Sequence, residues 1–354
     1  MSTHTAIAAV AKGKLDSIEV PTAAPGEGSV RIQVAYASLI AFDTYVTDLG
    51  FYVQEWPSIL GLNAAGTVVE VGVGVSALAV GDRVTAFSVF GQGLQRTMQE
   101  SVVLPAHSCA KIPDSLDLAA AATVPDNFIT AFYTLFDQLA LPVPAAFPAP
   151  APPPDANTPI LIYGAGATTG QYAIQLLHAA GYTNVLATAS PKHHAHLRAL
   201  GAARVVDYAS PTLAADLGPV ELALDAVTAE GTIARVAQVL SPRGAVALLL
   251  PIKAGDAVAP GPGGELFGVL PETRNPFPDT TRVVYVRTFL FRENAYLRDN
   301  LMPTILPQLL AAGLVQPNRV RLLDQGTLLE RVAEGLDLLR NNKVSGEKII
   351  VKVA

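Results

Sequence analysis

The chain has 354 residues, half of them hydrophobic and 15% charged, with a net charge of −6. That length suits two domains, the composition excludes a disordered chain, and the acidic balance without a long basic run argues against a nucleic-acid surface. One cysteine, Cys109, excludes an intrachain disulfide framework and any zinc site built on two or more thiolates. No apolar stretch reaches the ~18 residues of a membrane span, and residues 1–10 carry no basic-then-apolar leader. The expectation is therefore a cytoplasmic protein with no membrane partner.

Residues 1 to about 120 read as β-rich. From Ser29 to Ser38 the residues Val30, Ile32 and Val34 alternate inward, as in a half-buried strand. Gly66–Gly72, Asp82–Phe87 and Ser101–Ile112 are further strand candidates with glycine punctuation. Between Leu118 and Leu139 the period turns helical, with Phe128, Phe132, Leu135, Phe136 and Leu139 three and four apart. Residues 141–159 form an Ala/Pro tract that can build neither helix nor sheet, and read as an extended surface insertion.

From Pro159 strands and helices alternate, which implies a parallel, doubly wound sheet. The expected strands are Ile160–Tyr163, Asn184–Ala189, Val205–Tyr208, Glu221–Val227 and Gly244–Leu250. The expected helices are Gln171–Ala180, His193–Leu200 and Gly231–Leu240. Residues 252–280, rich in Gly and Pro, read as a long loop. Thr281–Phe291 reads as strand, Leu301–Ala312 and Leu328–Arg340 as helices, and Lys348–Val353 as a last strand.

The turn after Ile160–Tyr163 runs Gly164-Ala165-Gly166-Ala167-Thr168-Thr169-Gly170. Thr169 stands where a strict G-x-G-x-x-G has its third glycine, so the turn fits a G-x-x-A-x-x-G variant. Gly164 permits the tight turn, the small Ala167 admits a pyrophosphate, and Gly170 lets the helix pack close to the strand. A diphosphate would then sit at a helix N-terminus. Sites selective for NADH end the second strand in an acid, but here that strand ends in Ser190, and no acid occurs from Val185 to Val206. Ser190, Lys192, His193 and Arg198 offer a hydroxyl and cations for a 2′-phosphate, so the expected cofactor is NADPH; Arg198 fits an exposed basic helix start equally well. His193, His194 and His196 follow a Ser190-Pro191 N-cap and N1 pair without a nearby carboxylate. They read as a solvated first helical turn and not as a metal site.

Two stretches carry a resemblance. Ile59-Leu60-Gly61-Leu62-Asn63-Ala64-Ala65-Gly66-Thr67-Val68-Val69-Glu70-Val71-Gly72 and Val80-Gly81-Asp82-Arg83-Val84 resemble the zinc-independent medium-chain dehydrogenase/reductases. The closer resemblance is to their quinone reductase and fungal enoyl reductase branch. Val344-Ser345-Gly346-Glu347-Lys348 and the helix from Gln171 to Leu176 are similar to the fungal members. The resemblance implies an α/β chain with a GroES-like β-rich catalytic domain (1–126 and 288–354) split by a Rossmann NADPH-binding domain (127–287). Zinc members have a cysteine near Ala41 and a His-Glu pair where this chain has Leu62-Asn63, so the resemblance implies no metal. Ile40-Ala41-Phe42-Asp43-Thr44-Tyr45 resembles the quinone reductases' N-x-x-D-T-Y, departing at Ile40. It makes Tyr45, with Tyr52 nearby, either a substrate-facing hydroxyl or an aromatic wall. Thr130 matches a family position beside the nicotinamide, and Tyr208 one near the 2′-phosphate. Val227, Leu249 and Leu250, at the ends of the next strands, are assigned to the same cofactor site.

Without a Lewis acid the substrate must already be electrophilic. The expected reaction is NADPH-dependent reduction of the C=C bond of a small enone or enal, by a monomer or homodimer. Quinone reduction, an enoyl reductase serving a polyketide synthase in trans, and a non-catalytic NADPH-binding protein are the competing expectations.

Overall fold

The computed structural model describes residues 2–88, 95–256 and 264–354. They form two compact units, Met1–Asp126 with Phe289–Ala354, and Asn127–Thr288.

The first unit begins with the hairpin β1 (Thr3–Ala11) and β2 (Lys14–Pro21), then β3 (Ser29–Leu39) and α1 (Ala41–Leu49). After these come β4 (Ser58–Ile59), β5 (Asn63–Val71), β6 (Arg83–Phe87), β7 (Ser101–Pro105), β8 (Cys109–Lys111) and the short α2 (Leu118–Ala121). The expected inward face of β3 is there, with Val30, Ile32 and Val34 fully buried. Gly66 and Gly72 have to be glycine because any Cβ would run into the carbonyls of Gln33 and Gly26. Helix α1 is an element the β-rich reading did not contain. Its buried Asp43 starts it, accepting from the backbone N–H of Ile40 at 2.9 Å. Gly50 ends it in the left-handed region.

The second unit opens on α3 (Pro125–Tyr133, which enters from the first unit), followed by β9 (Ile160–Tyr163), α4 (Thr168–Ala179), β10 (Val185–Thr188) and α5 (His194–Ala199). Next come β11 (Arg204–Val206), α6 (Leu213–Leu217), β12 (Val220–Asp225), α7 (Glu230–Ala237) and β13 (Leu240–Leu249). It closes with β14 (Ile252–Lys253), β15 (Leu266–Phe267) and β16 (Arg282–Val286). The sheet order is β11-β10-β9-β12-β13-β16, all parallel. This is the doubly wound architecture expected, with the order reversing at β9.

Two expectations are corrected. Residues 252–280 are not structureless, since β14 and β15 pair antiparallel there; residues 257–263 of that stretch lie outside the described residues. The expected strand Thr281–Phe291 stops at Val286 and a 3-10 turn, Thr288–Glu293, follows. That strand pairs in parallel with β13, within the 127–287 span expected of the Rossmann half.

The first unit resumes with α8 (Ala295–Asn300), α9 (Leu306–Ala311), β17 (Arg319–Leu323), α10 (Leu328–Arg340) and β18 (Glu347–Lys352). Strand β18 inserts between β17 and β3, so the C-terminal segment completes a sheet begun at the N-terminus. Among the described residues no helix is long and apolar enough to cross a membrane.

Candidate functional site

The second unit gathers the glycine turn at the carboxyl end of β9. Gly164 has φ +71, and its N–H donates to Thr188 Oγ1 at 2.9 Å. A Cβ on Gly164 would collide with Val227, and one on Gly170 would lie 2.7 Å from Ala165 Cα. Both are therefore demanded by close approach. Helix α4 starts at Thr168, three residues earlier than its apolar period suggests, with Ala167 as an N-cap that makes no side-chain bond. The backbone N–H groups of Thr168, Thr169 and Gly170 thus open a helix without a side-chain partner, the arrangement that receives an anion. Gln171 braces the turn by donating to the Gly166 carbonyl at 3.0 Å, and Asn127 donates to Thr169 Oγ1 at 2.8 Å. A turn that would be filled by a Cβ and a helix end left uncapped fit the diphosphate of a dinucleotide.

Beyond β10, Ser190 precedes Pro191 and makes no capping bond, while Lys192 and Arg198 are exposed. The three histidines do not share a solvated turn. His193 is 8% exposed, and its ring lies against Gly166, 3.1 Å from where a Cβ would stand. His194 Nε2 meets the Ala189 carbonyl at 3.0 Å, and His196 Nε2 meets Gln171 Oε1 at 3.2 Å. The cluster is pinned to the turn it follows. Among the described residues no group of three His, Cys, Asp or Glu side chains could hold a metal ion. Tyr208 is 46% exposed after β11. Val227, Leu249 and Leu250 are half-buried at the carboxyl ends of β12 and β13. Thr130, on α3, shares a hydrogen bond with Thr288 Oγ1 at 2.9 Å.

The first unit holds the aromatic candidates. Tyr45 is 4% exposed on α1, and burial pushes its hydroxyl up to about 12. Phe42, Tyr45, Phe51 and Tyr52 form one edge-to-face cluster, with the Phe51 and Tyr52 rings 4.7 Å apart at 88°. Tyr52 is 63% exposed and has φ 59, a conformation a bulky side chain adopts only under strain. Phe289 borders it at 6.5 Å.

Asp43 on the same helix has no part in the expected site, yet it fastens α1 to the connection between β4 and β5. Its second oxygen accepts from the Gly61 N–H at 3.0 Å; burial raises its pKa, and the backbone donors and the Arg96 charge oppose that rise. Asn63 uses its amide structurally, donating to Ser38 Oγ at 2.7 Å and accepting from the Asp126 N–H at 2.9 Å. The Cys109 thiol is buried and pushed up to about 12, so it remains a thiol.

Residues 26–114 match the family model described as the alcohol dehydrogenase GroES-like domain. The chain is 32% identical over 338 residues to the trans-enoyl reductase himH of Aspergillus japonicus, covering 91% of this chain and 89% of that one. It is 28% identical over 365 residues to the trans-enoyl reductase buaC of Petromyces alliaceus, covering 99% and 97%. Its fold is shared with the quinone oxidoreductase of Pseudomonas syringae pv. Tomato DC3000, with a TM-score of 0.74 at 24% identity and 99% coverage of both chains.

Proposed function

The chain belongs to the zinc-independent medium-chain dehydrogenase/reductases, in their enoyl and quinone reductase branch, and from that premise we propose that it reduces the C=C bond of small α,β-unsaturated ketones and aldehydes with NADPH. The observation that carries this reading is the pairing of an uncapped glycine turn with a strand end free of acid. Ser190, Lys192 and His193 stand where a ribose-binding carboxylate would otherwise select NADH.

When bound, the nicotinamide supplies a hydride. The residues of the chain bind, orient and polarise. The Gly164–Gly170 turn and the N-terminus of α4 hold the diphosphate. Ser190, Lys192, His193 and Tyr208 receive the 2′-phosphate, and Val227, Leu249, Leu250 and Thr130 line the nicotinamide half. Tyr45 donates its hydroxyl to the substrate carbonyl, where negative charge collects as the alkene is reduced. At a pKa of about 12 the phenol stays protonated throughout the working range, so it holds the developing oxyanion by hydrogen bond. Water or a tyrosine hydroxyl supplies the proton that completes the reduction at the α-carbon. Tyr52, exposed and strained, presents a second hydroxyl from the same cluster.

The test is NADPH and NADH oxidation measured with a simple enone, an enal and a benzoquinone. NADPH with enone or enal should give the higher kcat/KM. A higher kcat/KM with NADH, or turnover confined to the quinone, overturns the reading. The likeness to himH over most of both chains favours a second reading, an enoyl reductase acting in trans on a carrier-bound polyketide. That reading expects little turnover of free enones and efficient turnover of a pantetheine-linked enoyl thioester.

A further inference from the structure

The second unit keeps a cation at the carboxyl edge of its sheet that the glycine turn does not use. Lys253, on β14, is 7% exposed. Its N–H donates to the Thr228 carbonyl at 3.0 Å, and its strand bridges in parallel to Ala229. Thr228 itself has φ 54 and is locked on both sides. It donates to the Asp225 carbonyl at 2.7 Å and accepts from the Leu249 N–H at 2.9 Å. Asp225, fully buried at the end of β12, accepts from the N–H groups of Val227 and Thr228 at 2.9 and 2.8 Å and from Thr232 Oγ1. Its oxygens are thus occupied by three donors, and it acts on Lys253 through its field.

No ion pair or hydrogen bond joins the Lys253 ammonium to any described residue. The side chain is almost wholly buried and only the field of Asp225 opposes its desolvation, so the cation is costly where it stands. Its position supplies a reason. Gly164 and Val227 are in contact, and Lys253 hangs from the residue after Val227. It therefore stands at the ends of β9, β12 and β13, in the crevice where open α/β sheets bind ligands. Ser190 and Tyr208 follow β10 and β11, on the opposite side of β9. A dinucleotide whose 2′-phosphate lies toward β10 extends its other half toward β12 and β13.

We propose that Lys253 is a further cofactor-binding residue, donating to an oxygen on the nicotinamide-ribose half of the bound dinucleotide, with Asp225 as its fixed counter-charge. The assignment rests on the nucleotide reading above. Burial, opposed by Asp225, brings the ammonium down to about 8, so it is charged at neutral pH and loses its charge as pH rises above that value. The other charged groups nearby are otherwise engaged. Glu230 of α7 is held by Arg274 at 3.1 Å and by the Gly255 N–H at 2.6 Å. Glu265, beside β15, lies 3.7 Å from Arg274, and Asp256 sits against Gly231.

The experiment is equilibrium titration of the apoprotein with NADPH and with NADH between pH 7 and 9.5, for the wild type, Lys253→Met and Lys253→Arg. In the wild type Kd should rise about tenfold across that range. Lys253→Met should raise Kd at pH 7 about tenfold for both dinucleotides alike and flatten the pH dependence. Lys253→Arg should bind at pH 9.5 as at pH 7. The apo Tm of Lys253→Met at pH 7 should equal or exceed that of the wild type, because a base with a depressed folded pKa costs stability wherever it is charged. An unchanged Kd in a folded Lys253→Met protein overturns the assignment alone. Should that variant not fold, a wild-type Kd independent of pH from 7 to 9.5 overturns it instead. A wild type that binds neither dinucleotide overturns the nucleotide reading as well.

Discussion

Tyr45 shows how burial narrows what one side chain can do. The phenol lies on α1 among Phe42 and Phe51, and at about 12 it is a donor that does not ionise. Tyr45→Phe should therefore lower kcat/KM for an enone about tenfold, the loss of one hydrogen bond worth ~1.4 kcal/mol, with KM little changed and Tm held within a degree or two. An unaltered kcat/KM would make Tyr45 a wall residue and nothing more. Residue identity was legible in the sequence where the chemistry depends on presence or absence. Ser190 in place of an acid is visible without coordinates. It was not legible where the environment decides. His193 reads as a solvated turn residue because it follows the Ser190-Pro191 helix start, and only the fold lays its ring over Gly166. Lys253 gives no signal at all, since it lies in a Gly- and Pro-rich stretch and its burial is created by strands far away in the chain.

At the scale of the element, period and punctuation carried most of the reading. β9 announces itself as a short continuous apolar run, α10 by three-and-four spacing, and the inward face of β3 by alternation. Helix α4 does not announce its first turn, because Thr168, Thr169 and Gly170 have no apolar rhythm. On the proposed reading they present backbone N–H groups to a diphosphate, and function displaces pattern at that end. The strand Arg282–Val286 was legible as a strand, but its partner was not. Pairing with β13 is a long-range fact that alternation cannot encode. The turn yields a direct test. In Gly170→Ala the added methyl would lie 2.7 Å from the Ala165 backbone, so helix and turn must separate. NADPH Kd should rise at least tenfold by fluorescence titration, while far-ultraviolet circular dichroism stays that of the wild type. Unchanged binding would show that the turn does not grip the diphosphate.

At the scale of the whole chain, the first unit is assembled from both ends of the sequence, and the join is partly ionic. Lys348 of β18 and Asp126 at the start of α3 form a buried ion pair, 2% and 8% exposed. The Lys348 ammonium is depressed by burial, with Asp126 and then Asp43 opposing that depression. Asp126 also donates its N–H to Asn63, and Asn63 reaches Ser38 on β3, so the pair belongs to a polar chain crossing the sheet from β18 to β5. Such a pair contributes little net stability beside a well-packed apolar substitute, yet removing one partner leaves the other charge buried alone. Lys348→Met should thus destabilise the protein by about 3–5 kcal/mol in denaturant unfolding. The double variant Lys348→Met, Asp126→Asn should recover most of that loss. Equal losses in the single and double variants would mean that the stability lies in the packing of the Lys348 stem and not in the pairing of charge.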